Sequence, residues 1–541
     1  MSDPARSAAY LAAAHRFVRA QQLDQALLAA KAAAEADPAN TEAFAYWGVS
    51  AAETGRFAEA IEPLAVAADR NLLGSFGWAN LVSQRARALS NIGFWGEAFH
   101  NAVAVEQAAI ADPSIRHRIG TTFARIGLSE RALPHLEWAA QAAPDRPQVL
   151  FELGVAYLSL GRSEEAEALL ERSIALFPSW AQPHMALASL RRWTPADAHV
   201  ERLRALQDRP GTEPGDRASL GFALFKELDD LRDPGAWPVL EDANARARAL
   251  EPAWSVQMDG DLFDALIERF PAGLFASPAA PASKVRPGHR TPIFVVGLPR
   301  SGTTLVERIL SAHPHVDSIG EAPSFPILFR GLSKTSDRRE LTPSVLAGTA
   351  EADWSALAES YLRETASLAG RAPFTVDKLP LNNLLIGALR LAFPDARIVL
   401  LRRDPMDNLF SAFRVQFSGA YQWANRQEDM AEHYAQHLRL MDHWKLCLGE
   451  GLIELSYEEL VREPDRQVAR LLEACGLEFD ERCLRPNEAA GSVRTASIVQ
   501  VRQPINDSSV GGWRRYAEEM EPLRARLEAL GVPPAGTPLS A

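Results

Sequence analysis

The stretch IFVVGLPRSGTTLVERIL, Ile293–Leu310, sets a short apolar run directly before a glycine-rich loop and an amphipathic helical pattern. Gly297 and Gly302 have the spacing of G-x-x-x-x-G-K-[ST], a phosphate-binding loop, but Thr303 stands where that motif carries lysine. Glycines at these two points allow a tight turn whose N–H groups converge on an oxyanion. A helix starting at Thr303 adds its free amides and the positive end of its dipole. Ser301, Thr303 and Thr304 offer hydroxyls, and Arg300 offers a planar, permanently charged fork. Without the lysine, a nucleotide kinase or triphosphatase loses its main grip on the β- and γ-phosphates. A Mg²⁺-dependent enzyme of that class with a degenerate loop stays open as a rival, as does a repeat scaffold that no longer catalyses.

Around this loop, short β-branched runs alternate with helical patterns. Ile293–Val296, Phe374–Val376, Ile398–Leu401 and Leu452–Leu455 read as strands, with helices beginning near Thr303, Asn383, Met406 and Glu458. Apolar strands separated by helices imply a parallel sheet covered on both faces. Ligands of such sheets bind at the carboxyl ends of the strands.

Upstream the texture differs. Ala98, Ala132 and Ala166 are 34 residues apart, as are Gly93, Gly127 and Gly161. Ala60 to Ala98 is 38, and the four extra residues fit Asn71–Gly74. The clearest unit is Val149–Pro178, where Leu153, Gly154, Tyr157, Gly161 and Ala166 recur at helical spacing. This resembles the tetratricopeptide repeat, a helix pair of 34 residues, in about five units over residues 8–180. Such a solenoid has a concave face suited to a protein or peptide. Helical patterning loosens from 196, and Phe275–Pro292 is rich in Ala and Pro with no apolar period. The fold expected is multidomain: an all-α repeat solenoid (1–195), a divergent capping region and linker (196–285), and an α/β domain with a central parallel sheet (286–541).

Bulk properties narrow the classes. A net charge of −12 disfavours nucleic acid and anionic membranes as general partners. Only six of the 57 basic residues are lysines, which gives each lysine weight. Three cysteines without a C-x-x-C pair suggest reduced thiols. With no signal-peptide pattern and no long apolar run, the expectation is a cytoplasmic protein without a membrane span. No His, Cys or carboxylate cluster has metal-site spacing. Nothing in the sequence specifies an oligomeric state.

PRSGTTL, Pro299–Leu305, resembles the 5′-phosphosulfate loop of sulfotransferases, which use 3′-phosphoadenosine-5′-phosphosulfate as donor and release 3′-phosphoadenosine-5′-phosphate. That family pairs the loop with a strand, an arginine and a serine eight residues later, which hold the 3′-phosphate. IVLLRRDPMDNLFSAF supplies Arg403 and Ser411, and Pro405 opens a helix there. HPHVDSIGEAPSF, His313–Phe325, resembles the segment of tyrosylprotein sulfotransferases and bacterial repeat-containing relatives that ends in a catalytic glutamate; the resemblance assigns that role to Glu321. VDKLPLN likewise places Lys378 at a strand end, where the family has a lysine contacting the transferred group. SYEEL contributes Tyr457. SIVQVRQPINDSSVGGWRRY resembles the stretch that closes over the nucleotide, with Ser497, Arg502 and Trp513 as contacts and Gly512 where many relatives carry arginine. His313 and His315 rank below Glu321 as bases, because a His-Pro after a helix is commonly a structural stop. Arg402 reads as a neighbouring sheet residue.

The resemblance implies in-line sulfuryl transfer to an acceptor hydroxyl, with no metal required. Glu321 would act as base, Lys378 and Arg300 would stabilise charge, and Arg300–Thr304, Arg403, Ser411 and Tyr457 would bind the donor. The acceptors it allows are a protein tyrosine, a carbohydrate, a lipid and a small molecule.

Overall fold

The computed structural model describes residues 2–251, 254–276, 290–335, 341–417, 419, 421–489, 491–492 and 500–533. Two compact units emerge: Met1–Leu160 with Leu362–Leu368, and Gly161–Tyr361 with Ala369–Ala541.

The first unit is helical, running from Pro4–Arg19 to Pro147–Ser159 through short turns, so successive helices are antiparallel neighbours. The 34-residue period has a backbone cause. Gly93 and Gly127, both at φ +87°, turn the chain between the helices of a hairpin, a conformation that disfavours any side chain. Gly120 serves a different need: a Cβ there would sit 2.8 Å from Leu136 Cγ, so the paired helices touch only because it is glycine. Ala98 and Ala132 are fully buried at equivalent seams. The insertion at Asn71–Gly74 lies between the helices Phe57–Asp69 and Phe76–Asn91 and leaves Leu72 and Leu73 exposed, at 81% and 77%.

The second unit is built on a five-stranded parallel sheet: β1 Thr291–Val296, β2 Val316–Ser318, β3 Phe374–Asp377, β4 Arg397–Arg402 and β5 Leu452–Ser456, in the order β2-β3-β1-β4-β5. β1 pairs with β4 through Ile293↔Arg397 to Val296↔Leu400, and with β3 through Thr291↔Phe374 to Phe294↔Asp377. After β1 the chain turns toward the β2 edge, and after β4 it turns toward β5. The crevice between β1 and β4 is therefore the topological switch point, where the ligands of open α/β sheets bind. One sheet face packs Ile293, Val295, Val306, Val399 and Leu455. The other packs an aromatic cluster in which Phe294 lies 5.7 Å from Phe393 and 6.2 Å from Phe325. β2, at three residues, is too short to carry a periodic signal and was not foreseen.

The compact units do not follow the boundaries at 195 and 285 read from the sequence. Helices Pro214–Leu231 and Ala236–Leu250 share one core with the sheet domain: Phe222, Phe225, Trp237 and Leu240 pack with Met406, Phe410, Phe413 and Tyr516. Trp237 lies 5.7 Å from Phe413 and 5.3 Å from Tyr516. Asn244 Nδ2 donates to Phe413 O at 3.0 Å and Ser219 Oγ to Gln416 Oε1 at 2.8 Å. This segment thus grips the helix Pro405–Phe413, which follows Arg403 and contains Ser411. No helix among the described residues is long and apolar enough to cross a membrane.

Candidate active site

The loop after β1 runs from Gly297 to the helix Thr303–Ser311, whose N-cap is Gly302 at φ +104°. A Cβ at Gly302 would collide with the Tyr457 ring, 2.9 Å from Cε2. Gly302→Ala is therefore expected to cost about 1–3 kcal/mol through its backbone alone, and more through that contact. Thermal unfolding checks this, and an unchanged midpoint would contradict it. Arg300 also has a positive φ, +68°, unusual for a side chain with Cβ. Its carbonyl accepts from Arg403 Nη1 at 2.9 Å, which fixes the loop in that conformation.

The two sequence signatures meet here. Arg300 Nε donates to Ser411 Oγ at 3.2 Å, and its Nη2 donates to Gln500 Oε1 at 3.3 Å. Arg403 also donates through Nη2 to Ser509 O at 2.8 Å, and its guanidinium lies 4.6 Å from the centre of the Tyr457 ring. The Tyr457 hydroxyl is 2.6 Å from Ser509 Oγ. Asp404 caps the helix Pro405–Phe413, accepting from Asp407 N at 3.0 Å, a bond worth about 1 kcal/mol. Asp407 in turn accepts from Gly511 N at 2.6 Å and Trp513 N at 3.3 Å, which tethers the C-terminal stretch to that helix. Asn408 Nδ2 holds Pro299 O at 2.9 Å, a second tie between helix and loop.

Arg414, three residues after Ser411, was missed in the sequence, where a basic residue at a helix end reads as a cap. Burial, then the charges of Arg414 and Arg403, push the Arg300 guanidinium down to about 9, still protonated at neutral pH. Burial and Arg403 lower Arg414 as well. Asp229 lies 3.7 Å from Arg414 but also accepts from the Tyr516 hydroxyl at 2.6 Å and pairs with Arg515. Three guanidinium groups crowded this way repel one another, and a dianion between them would relieve that repulsion. Ser301 Oγ and Arg403 Nε are buried with no hydrogen-bond partner among the described residues, so the site retains donors for a ligand. Thr303 and Thr304 are buried at the helix start.

Glu321 and Lys378 are a pair. Lys378 follows β3, fully buried; its N donates to Gly320 O at 2.9 Å and its ammonium bonds Glu321 Oε1. Glu307, also missed in the sequence, lies 3.5 Å from the same ammonium. Burial pulls Lys378 down, but the Glu321 and Glu307 carboxylates outweigh it and hold the group above the ordinary lysine value.

Asp377, just before Lys378, is fully buried and accepts from the Tyr361 hydroxyl at 2.7 Å and Asn382 Nδ2 at 3.3 Å. Burial raises its carboxyl from 3.8 to about 7. Below the lower value the group is protonated both folded and unfolded. Between the two values only the unfolded chain releases the proton, so this group makes stability fall as pH rises through that window. Asp377→Asn is expected to flatten the fall, read from denaturant midpoints between about pH 4 and about pH 8; equal slopes would contradict it.

The remaining candidates lie elsewhere. Arg502 packs its guanidinium on Gly161, with Nη1 2.7 Å from where a Cβ would stand. Trp513 is half-buried beside the core of Phe410 and Tyr516. Ser497 lies outside the described residues. His313 is buried, with Nε2 3.1 Å from Glu478 O and Nδ1 accepting from His315 N at 3.1 Å. Arg402 pairs with Glu454 at 2.7 Å.

Comparison with known proteins agrees with this architecture. Residues 292–481 match the sulfotransferase family, and residues 11–71 and 117–179 match the tetratricopeptide repeat. An uncharacterized protein of Aquifex aeolicus (strain VF5) is 32% identical over 337 residues, covering 60% of this chain and 43% of its own length. Protein-tyrosine sulfotransferase A of Caenorhabditis elegans is 25% identical over 260 residues, covering 46% of this chain and 68% of its own. The solved sulfotransferase domain from the Synechococcus PCC 7002 olefin synthase aligns with 43% of this chain and 90% of that one, at 22% identity and a TM-score of 0.31. The alignment thus spans less than half of the Aquifex protein. Residues 292–481 of the chain are thus similar to the sulfotransferase family, and two stretches of its helical unit are similar to the tetratricopeptide repeat.

Proposed function

We propose that this chain is a sulfotransferase moving a sulfuryl group from 3′-phosphoadenosine-5′-phosphosulfate to an acceptor hydroxyl. The observation that carries the reading is the physical joining of the two anion elements: Arg300 to Ser411 at 3.2 Å and Arg403 to the Arg300 carbonyl at 2.9 Å. The donor supplies a sulfuryl group on an anionic leaving oxygen, with a phosphate at its other end. Three guanidinium groups and the unpartnered donors Ser301 Oγ and Arg403 Nε fit such a ligand. The amides of Arg300–Thr304, the hydroxyls of Ser301, Thr303 and Thr304, and the Arg300 side chain take the 5′ end. Arg403, Ser411 and Arg414 take the 3′-phosphate, and Tyr457 supports Arg403 from below.

Glu321 takes the acceptor proton as the oxygen attacks, a contribution of ~10²–10⁴-fold. Lys378 donates to the bridging oxygen as it leaves. The acceptor we favour is a protein tyrosine, because several relatives are named protein-tyrosine sulfotransferases and helical repeats of this kind commonly bind peptides. Calorimetry with 3′-phosphoadenosine-5′-phosphate against ATP tests the donor assignment. Transfer of labelled sulfate to tyrosine peptides, beside sugar and phenol acceptors, tests the second. Tight ATP binding without bisphosphate binding would overturn the first, and label confined to sugars would overturn the second.

A further inference from the structure

Glu307 stands one helical turn beyond Thr303, on the helix that begins at the phosphate loop. Its carboxylate is largely buried and its two oxygens are divided. Oε1 accepts from the Ser318 hydroxyl at 2.7 Å, and Oε2 lies 3.5 Å from Lys378 Nζ. Ser318 Oγ accepts in turn from Gly320 N at 3.0 Å, so the carboxylate is clamped to the end of β2. The buried Lys378 ammonium therefore has two anionic neighbours, Glu321 and Glu307. Two other titratable groups act on the pair through space. Asp377 is turned to Tyr361 and Asn382, and the charge of Arg300 reaches Glu321.

One carboxylate would neutralise one ammonium. The surplus finds a use in the sulfuryl-transfer reading above, on which this inference rests. In that step the acceptor oxygen bonds to sulfur while its proton passes to Glu321. The bond from sulfur to the 5′-phosphate oxygen breaks, and its electron pair stays on that oxygen. Glu321 ends the step neutral. A buried lysine balanced by Glu321 alone would lose its counter-charge as the leaving oxygen comes to need it. We propose that Glu307 is a positioning residue that keeps Lys378 charged and aimed through the step, supplying the carboxylate that Glu321 ceases to be.

The test follows Lys378 by ¹⁵N NMR in the full chain, whose six lysines keep the spectrum sparse; Lys378→Arg assigns the signal. Glu321→Gln imitates the state after proton transfer. In that variant the ammonium is expected to titrate close to the parent. In Glu321→Gln/Glu307→Gln its midpoint is expected to fall by about one to three pH units, the effect of losing an opposite charge at this range. Equal midpoints in the single and double variants would overturn the inference. Should the double variant fail to fold, Glu321→Gln/Ser318→Ala frees Oε1 and is expected to move the midpoint the same way by less; no movement there overturns it too. In turnover with labelled donor and N-acetyltyrosine amide, Glu307→Gln is expected to lower kcat at least about tenfold at unchanged bisphosphate affinity, with Glu307→Asp restoring part. Parent protein that binds no bisphosphate would defeat the sulfuryl-transfer reading, while the lysine titrations would still decide the role of Glu307.

Discussion

Replacing Glu321 by glutamine is expected to lower turnover by ~10²–10⁴-fold while leaving affinity for 3′-phosphoadenosine-5′-phosphate within about threefold of the parent. The change removes the only carboxylate the reading assigns as base. It keeps an oxygen that can still accept from Lys378, so the local packing survives. The proposal puts the donor's phosphates elsewhere, on Arg300, Ser411 and Arg403, whose contacts with one another do not pass through Glu321. Single-turnover transfer and calorimetry separate the two quantities. Parental turnover would remove Glu321 from the chemistry, and lost bisphosphate binding would recast it as a donor ligand.

Arg403→Ala is expected to weaken bisphosphate binding roughly 30- to 150-fold, about 2–3 kcal/mol for a charge-assisted, forked contact. The loss exceeds one phosphate contact, because this side chain also braces the Arg300 carbonyl and Ser509 and lies over the Tyr457 ring. With the brace gone, the left-handed backbone of Arg300 is free to relax, and the amides of the loop lose their common aim. Arg403→Lys is expected to recover only part of the affinity, since lysine carries the charge without the fork. Calorimetry on the three proteins checks this, and affinity within threefold of the parent in Arg403→Ala would sink the assignment.

What could be read in advance was what is local. The glycine-rich loop after β1 is legible because its two glycines, its hydroxyls and its helix start lie within eight residues, and each requirement falls on one residue type. The repeat period is legible for the same reason, since Gly93 and Gly127 answer to a dihedral angle. β1 and β4 announce themselves as apolar runs. What stayed hidden depends on distant partners. Glu307 reads as an ordinary helix carboxylate until β2 and β3 bring Ser318 and Lys378 to it. Arg414 reads as a helix terminus until Arg300 and Arg403 crowd it. The boundary near 195 followed the loosening of the helical pattern and that near 285 followed composition, and neither tells which core a helix enters.

The core that joins Phe225, Trp237 and Leu240 to Phe410, Phe413 and Tyr516 bears on how this protein could have been assembled. The stretch that matches the sulfotransferase family starts at 292, yet two of the helices that seat its helix Pro405–Phe413 come before that point. A recombination event at the Ala- and Pro-rich stretch would carry off every residue proposed to bind the donor and leave behind part of the core on which one of their helices rests. The heritable cassette is therefore longer than the stretch matched from residue 292. Helices Pro214–Leu231 and Ala236–Leu250 travel with the sheet, or the helix that carries Ser411 arrives without a seat.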